Sequence, residues 1–353
     1  MTGRDSNENE NGDDGRRAGR RSRVLKTAGL ILAGALVLGL GTAGWAYWHL
    51  NDNITSVDID SALGDNRPQR AMTTPAPSAT ESPLPTGSLN ILVLGSDSRS
   101  GEENQELGGG SSTGARSDTA MVVHIDAGRT EATVVSIPRD TLVTRPSCPL
   151  SSGGSTEVAY RTMFNSAYAI GGPVCAVATV ESLTGIRMDH YIEIDFSGFA
   201  KLVDALGGVT VTTDEDIDDE DSHLQLEAGT HHLDGAQALA LARTRHGIGD
   251  GSDLGRIGLQ QKLVKALLDQ ISTAGLLTDP AQLYQVADAV TGSLTTDTGL
   301  DSLSELMSLG QSLGGLSSDA VRTVTMPVVP AASDPNRVVA EEPEVGELWE
   351  SLR

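Results

Sequence analysis

The chain has 353 residues, 25 Lys+Arg against 48 Asp+Glu, a net charge of −23 and 38% apolar residues. That charge excludes nucleic acid as the partner, because such binding rests on Lys and Arg neutralising phosphates. Aromatic residues are 3% of the chain and Trp45, Tyr47 and Trp48 take three of them, which leaves too few for base stacking or an aromatic sugar platform.

Residues 1–26 form a polar tail with seven basic groups against five acidic, including Arg16, Arg17, Arg20, Arg21, Arg23 and Lys26. Thr27–Trp48 follows without a charge. As a helix it spans roughly 33 Å, enough for a hydrocarbon core. Basic residues flank only its first end, so the positive-inside rule puts the N-terminus in the cytoplasm and the rest outside. A cleaved signal peptide has a shorter apolar stretch and a small-residue cleavage site, whereas this run ends in Trp45-Ala-Tyr-Trp48. The expected organisation is a cytoplasmic tail (1–26), a transmembrane anchor (27–50), a Pro/Ser/Thr-rich extracytoplasmic linker (51–88) and a folded domain (89–353). Within the linker, residues up to 66 leave room for a short membrane-proximal structure.

In the domain, Leu89–Leu94 is an apolar run closed by Gly-Ser-Asp and predicts a buried strand. Thr119–Ile125 and Ala132–Ile137 are β-branched runs around Asp126-Ala-Gly-Arg129 and predict a hairpin. Helical spacing covers Thr156–Ile170 and Val174–Leu183, Tyr191–Ile194 reads as a strand, and Phe196–Leu206 is a helix stopped by Gly207-Gly208. Val209–Val211 is a strand; Ala236–Ala242, Leu254–Ile271, Pro280–Val290 and Leu300–Leu313 are helices. Val321–Met326 is a late strand and Glu347–Leu352 a short last helix. Interleaved strands and helices predict an α/β domain with helices on both sheet faces. Cys148 and Cys175 are the two cysteines, and outside the cell they are expected to pair, the alternative being two buried thiols.

Several motifs carry no chemistry. Gly310-Gln-Ser-Leu-Gly314 matches the esterase elbow pattern, but sits in a helical stretch instead of a strand-to-helix turn. His231-His232 lacks a second ligand pair at zinc spacing and reads as a turn. Asp214–Asp221 carries seven acids in eight positions without calcium-loop spacing and reads as a solvated loop. What remains are Arg and Asp residues where strands end and helices begin. They are Asp97 and Arg99 after the first strand, Arg116 and Asp118 before the second, and Arg139 and Asp140 after the third. Arg243, Arg245 and His246 close a helix, and Asp253, Arg256 and Gln260 open the next. Arg binds phosphate bidentately and stays charged. Two carboxylates among arginines suit Mg²⁺, which favours one or two carboxylates plus substrate phosphates. The set reads as a polyanion site with a metal.

These stretches resemble the LytR-CpsA-Psr family of cell-wall glycopolymer transferases. The matching segments are Asn90–Arg99, Arg116–Thr119, Val135–Thr141, Asp189–Asp195, Leu202–Val209, Leu233–Leu239, Ala242–His246 and Gly255–Gln261, in the family's order. The resemblance implies a three-layer α/β/α sandwich with a central mixed sheet behind one N-terminal transmembrane helix. It implies a phosphotransferase that moves a glycopolymer from a polyprenyl-pyrophosphate carrier onto a peptidoglycan hydroxyl and forms a phosphodiester at the cytoplasmic membrane. By position Asp97 and Asp118 match the family's Mg²⁺ ligands, with Mn²⁺ as the substitute metal. Arg116, Arg139, Arg243, Arg245, Arg256 and Gln260 match its pyrophosphate contacts, with Arg99 and Asp253 beside them. Arg139, Arg243, Arg245 and Asp97 are the expected catalytic set, and Asp97 or Asp118 the candidate base. Two other readings use the same residues: a pyrophosphatase or phosphodiesterase that sends the intermediate to water, and a non-catalytic wall assembly protein that binds polyprenyl phosphates.

Overall fold

The computed structural model describes residues 41–65, 67–70, 87–96, 117–150, 152–245, 253–275 and 279–353. They fall into two units, Met1–Asp52 and Asn53–Arg353. The described part of the first unit is one helix, α1 (41–52), on which Trp45, Tyr47 and Trp48 are exposed. Trp45 stacks on His49 one turn on, with ring centroids 5.2 Å apart. No helix among the described residues is long and apolar enough to cross a membrane. Most of the expected anchor, residues 27–40, lies outside them.

The second unit runs β1 (Thr55–Val57), α2 (Ile59–Leu63), β2 (Leu89–Ser96), β3 (Ser117–Ile125), β4 (Ala132–Ser136), β5 (Leu142–Arg145), β6 (Ala159–Met163) and α3 (Asn165–Thr184). β7 (His190–Asp195), α4 (Phe196–Ala205), β8 (Val209–Thr213), β9 (Ile217–Asp219), β10 (Leu224–Leu226), β11 (Gly229–Leu233), α5 (Gly235–Arg243) and α6 (Asp253–Thr273) follow. The chain closes with α7 (Pro280–Thr291), β12 (Leu294–Asp297), α8 (Leu303–Ser312), β13 (Val321–Thr325), β14 (Val328–Ala331), β15 (Asp334–Ala340) and α9 (Glu344–Glu350).

Seven strands form the central sheet in the order β1-β12-β7-β2-β3-β4-β13. It is mixed: β2 runs parallel to β7, β4 to β13 and β1 to β12, while β2–β3, β3–β4 and β7–β12 are antiparallel. Side chains alternate between faces along a strand, and here both faces are apolar. Leu92, Leu94, Ala120, Val122 and Val135 pack against Val177 and Val180 of α3 and Trp349 of α9. Their neighbours Ile91, Met121, Ile125 and Val134 pack with Leu309 of α8, and with Val264 and Leu268 of α6. A sheet covered on both faces needs the near-continuous apolar runs seen in the sequence, and the α/β reading with a central mixed sheet is met. A further apolar cluster joins α4, α5 and α6 to the β8–β11 hairpin through Val203, Val211, Leu241, Leu259 and Leu263.

The folded unit begins earlier than residue 89. β1 is an edge strand of the central sheet, and Ile59 of α2 is buried in the α3-side core. Arg67 bonds the Glu181 carboxylate (3.0 Å from Nε) and the Met188 carbonyl (2.7 Å). The Val57, Ile59 and Leu63 pattern is short, and the Pro/Ser/Thr-rich composition that follows it concealed it; within 51–88, Asn66 and residues 71–86 lie outside the described residues.

Three local readings are corrected. Thr156–Ile170 is not one helix: Ala159–Met163 is strand β6, paired antiparallel with β5, and the helix starts at Asn165. Tyr160, Met163, Phe164 and Ala167 mimic helical spacing there. His231 and His232 lie in strand β11, paired with β8, and not in a turn. Asp214–Asp221 is not a plain solvated loop, because Ile217–Asp219 is strand β9 and Asp219 is buried. Gly310 falls inside α8, so no esterase elbow forms. Cys148 and Cys175 form a disulfide with Cα atoms 5.2 Å apart. Closing a loop of 27 residues contributes on the order of 3–4 kcal/mol on the chain-entropy account.

Asp297, at the end of β12, fastens the start of β7. Its carboxylate accepts from the N–H groups of Tyr191 (2.8 Å) and Gly299 (2.7 Å) and lies 3.2 Å from His190 Nδ1. Burial pushes its pKa up, but the His190 contact and the backbone N–H groups outweigh burial and hold it below the ordinary carboxylate value. A depressed carboxylate stabilises the fold above the unfolded-state value of about 3.9, and that stabilisation is lost as pH falls through the folded value. Asp297→Asn should therefore lower the urea midpoint at pH 7, and the gap from wild type should narrow in acid, below about pH 4.

Candidate functional site

The described members of the predicted set, Arg139, Arg243, Arg245, Asp253, Arg256 and Gln260, lie around one end of the central sheet. The β2–β3 register shifts at its last step: Gly95 pairs with Thr119 but Ser96 pairs with Ser117. Asp118 is the extra residue of this bulge, a device that re-aims a side chain and ends pairing. Ser96 is fully buried, and its Oγ has no hydrogen-bond partner among the described residues. Asp97, the next residue, lies outside the described residues with Arg99 and Arg116, and the side chain of Asp118 is likewise not described.

Beyond β4, the chain turns through Ile137-Pro138-Arg139-Asp140. The Ile137 N–H donates to the Ala120 carbonyl (2.9 Å), so the sheet fixes the turn's start. The Thr141 hydroxyl donates to the Pro138 carbonyl (2.6 Å). Arg139 is held from α6: its backbone N–H donates to Asp253 Oδ2 (3.3 Å), and its Nε lies 3.6 Å from Asp253 Oδ1. Arg139 Nε is also 3.6 Å from Asp140 Oδ2, whose partner oxygen lies 3.3 Å from Arg337 Nη1.

Asp253 is the first residue of α6, where a negative charge is favoured by the helix dipole. One turn on, Arg256 pairs with the same carboxylate and is buried, with 3% of its side chain exposed. One more turn on, Gln260 is buried and its Nε2 donates to Thr119 Oγ1 (2.9 Å) and to the Ala242 carbonyl (3.0 Å). Asp253, Arg256 and Gln260 share a helix face at three- and four-residue spacing. That face ties α6 to the turn after β4, to the start of β3 and to the end of α5. The structure thus gives Asp253 the role of holding two arginines together.

The end of α5 carries Arg243. Its guanidinium lies over the Phe196 ring, 5.0 Å from the centroid. Such stacking holds an arginine without consuming its in-plane donors. Thr244 breaks the helix with ψ 131° and is fully buried, and the Arg245 N–H donates to Asp219 Oδ2 (2.6 Å). Gly235 allows α5 to lie on α4, since a Cβ there would stand 2.1 Å from the Ala200 carbonyl oxygen. Sequence reasoning singled out Arg139, Arg243, Arg245, Arg256 and Gln260. It gave no role to Thr119, Phe196 and Asp219, which contact Gln260, Arg243 and Arg245 respectively.

An arginine-lined cavity of about 510 Å³ opens at the opposite end of β2, beside Leu89 and Asn90, with Arg70, Arg187 and Arg353 on its walls. Arg70 is paired with Asp189 (3.1 Å) and Arg187 with Asp60 (3.1 Å).

The LytR_cpsA_psr family model matches residues 46–353. The chain belongs to the LytR-CpsA-Psr family. The probable cell wall biosynthesis protein LcpB of Corynebacterium glutamicum is 32% identical over 97% of this chain and 75% of its own. The polyisoprenyl-teichoic acid–peptidoglycan teichoic acid transferase TagV of Bacillus subtilis is 31% identical over 66% of this chain, which spans 57% of TagV's length. The TagV crystal structure superposes with a TM-score of 0.58 and 26% identity over 76% of this chain and 97% of that one. A LytR-Csp2A-Psr enzyme from Actinomyces oris gives 0.57 and 26% over 81% and 96%. The LytR-CpsA-Psr match begins at residue 46, in agreement with a folded unit that starts well before residue 89.

Gln260→Ala removes two side-chain hydrogen bonds and leaves the Ala242 carbonyl without this donor. The expected loss is about 1–3 kcal/mol, read from urea unfolding of wild type and variant.

Proposed function

We propose that this LytR-CpsA-Psr protein is a transferase that moves a glycopolymer from a polyprenyl-pyrophosphate carrier onto a peptidoglycan hydroxyl. The observation that carries the reading is the arginine site at the sheet end: Arg139 and Arg256 on one carboxylate, with Arg243 and Arg245 at the end of the helix that Gln260 anchors. In a chain of net charge −23, clustered arginines are the places where a polyanion gains more than it loses by approach. The relationship to TagV, named as a teichoic acid transferase to peptidoglycan, supports the same class of donor and acceptor.

In the proposed reaction the acceptor hydroxyl oxygen attacks the phosphorus that bears the sugar. A new P–O bond forms, the bond to the bridging pyrophosphate oxygen breaks, and its electron pair leaves with polyprenyl phosphate. The hydroxyl proton passes to a carboxylate, the candidate being whichever of Asp97 and Asp118 is not bound to the metal. Transfer of this kind depends on positioning and charge stabilisation more than on covalent protein chemistry. Arg139, Arg243, Arg245 and Arg256 would bind the two phosphates and hold them in line. Asp253 would keep Arg139 and Arg256 oriented while offering the phosphates no donor of its own.

The residues at the β2–β3 bulge fit a hard dication. Asp118 is the bulge residue and Asp97 follows in sequence on Ser96, whose buried hydroxyl has no partner among the described residues, and Mg²⁺ favours one or two carboxylates with substrate phosphates. When bound there, Mg²⁺ would neutralise charge on the pyrophosphate. The uncharged Thr27–Trp48 run and its one-sided arginines support a single-pass protein with a cytoplasmic N-terminus and the transferase unit outside.

The test mixes the full chain in detergent with a synthetic polyprenyl-pyrophosphate-linked saccharide, Mg²⁺ and peptidoglycan oligomers, and reads products by mass spectrometry. A saccharide-phosphate adduct on the glycan is expected, reduced about 10²–10³-fold in Arg139→Ala and absent with a chelator. Free saccharide phosphate without adduct would replace the transferase reading by the hydrolase, and lipid binding without turnover by the assembly protein.

A further inference from the structure

The acidic run Asp214–Asp221 is the densest charge in the chain, and the proposed reaction leaves it without a task. Its members do different things. Asp214 pairs with Lys262, Asp216 Oδ1 accepts from the Ala228 N–H (2.7 Å), and Asp218 accepts from Gln225 (3.1 Å). These close the β9–β10 hairpin and its flanks at the surface. Asp219 differs: it is 2% exposed.

Both of its oxygens are used. Oδ1 accepts from the N–H groups of Asp221 (2.9 Å) and Ser222 (3.2 Å), which fixes the turn after β9. Oδ2 accepts from the Arg245 N–H (2.6 Å). A second link runs beside it. Thr244, fully buried, donates its hydroxyl to the Ala240 carbonyl (3.0 Å) and pairs with the Ser222 hydroxyl (3.0 Å). The backbone that carries Arg245 leaves α5 in extended conformation, where no helical hydrogen bond would hold it. The hairpin turn holds it instead.

We propose that Asp219 is a positioning residue for the anion site, setting the place of Arg245 and, through Thr244, of Arg243. The proposal deepens the transferase reading and rests on it for the identity of the anion. It also accounts for the residue type. A carboxylate has two acceptor oxygens, whereas an asparagine amide has one. Whichever way an amide is turned, either the Arg245 N–H or the paired N–H groups of Asp221 and Ser222 face an NH₂ group.

The proposal makes a prediction opposite in sign to simple electrostatics. Removing a negative charge beside Arg245 should tighten anion binding if charge alone matters. If Asp219 positions Arg245, removing it should weaken binding. The experiment titrates inorganic pyrophosphate into the full chain by calorimetry at fixed ionic strength, for wild type, Asp219→Asn and Asp216→Asn, with exchange of the Arg245 amide followed by NMR. Asp216→Asn loses the same charge from the same run without reaching Arg245. Expected are about tenfold weaker binding in Asp219→Asn, wild-type affinity or slightly tighter binding in Asp216→Asn, and an Arg245 amide protected in wild type but not in Asp219→Asn. Unchanged or tighter binding in a folded Asp219→Asn overturns the proposal, as does a wild-type Arg245 amide that exchanges freely. If Asp219→Asn does not fold, Ser222→Ala keeps the carboxylate and removes the second link, and a two- to threefold loss of affinity is expected, with no loss counting against the proposal. Wild type that binds no pyrophosphate defeats the transferase reading, and the Arg245 amide exchange still decides whether Asp219 holds the strip.

Discussion

One carboxylate organises the site. Asp253 opens α6 and faces two arginines from different parts of the fold: Arg139, carried on the turn after β4, and Arg256, one turn along its own helix. Two guanidinium groups brought together without a counter-charge would repel each other, and one of them is almost fully buried. The shared carboxylate makes their proximity stable. Because Asp253 accepts from the Arg139 backbone as well, it fixes the place of that turn and not only the charge.

The rest of the fold supplies the frame for this interaction. A sheet with two apolar faces needs helices on both sides, and α6 is the helix that reaches from the sheet to the outer layer. It packs Val264 and Leu268 towards the sheet, and Leu259 and Leu263 towards α5 and the β8–β11 hairpin. Its polar face is therefore left at the junction of three elements, where Gln260 joins the β3 start to the α5 end. The close contact at Gly235 and the Phe196 ring under Arg243 set the other wall. Buried polar groups in such a place are tolerated only when hydrogen-bonded.

Much of this was legible before the structure. Apolar runs such as Leu89–Leu94 and Ala132–Ile137 announce strands buried on both faces, and Arg256 and Gln260, four apart, announce a shared helix face. What stayed hidden depends on tertiary context. β6 reads as helix because Met163, Phe164 and Ala167 lie three, four and seven positions from Tyr160, and only its partner β5 makes it a strand. β1 has three residues, too few for a period to show, and becomes a strand only beside β12. Asp219 is indistinguishable by type from its six acidic neighbours, since its burial is decided by Arg245, 26 positions on. Phe196 and Thr119 gave no signal either, because their value to the site lies in which arginine or glutamine arrives against them.

The account's central claim is that the two phosphates of a lipid pyrophosphate sit among Arg139, Arg243, Arg245 and Arg256. The most direct test is a crystal structure of the protein with geranyl diphosphate and Mg²⁺. The account predicts both phosphate groups within hydrogen-bond distance of these arginines at the β2–β3 bulge end of the sheet. Diphosphate seated in the opposite cavity, on Arg70, Arg187 and Arg353, with the Asp253 arginines untouched, would contradict it.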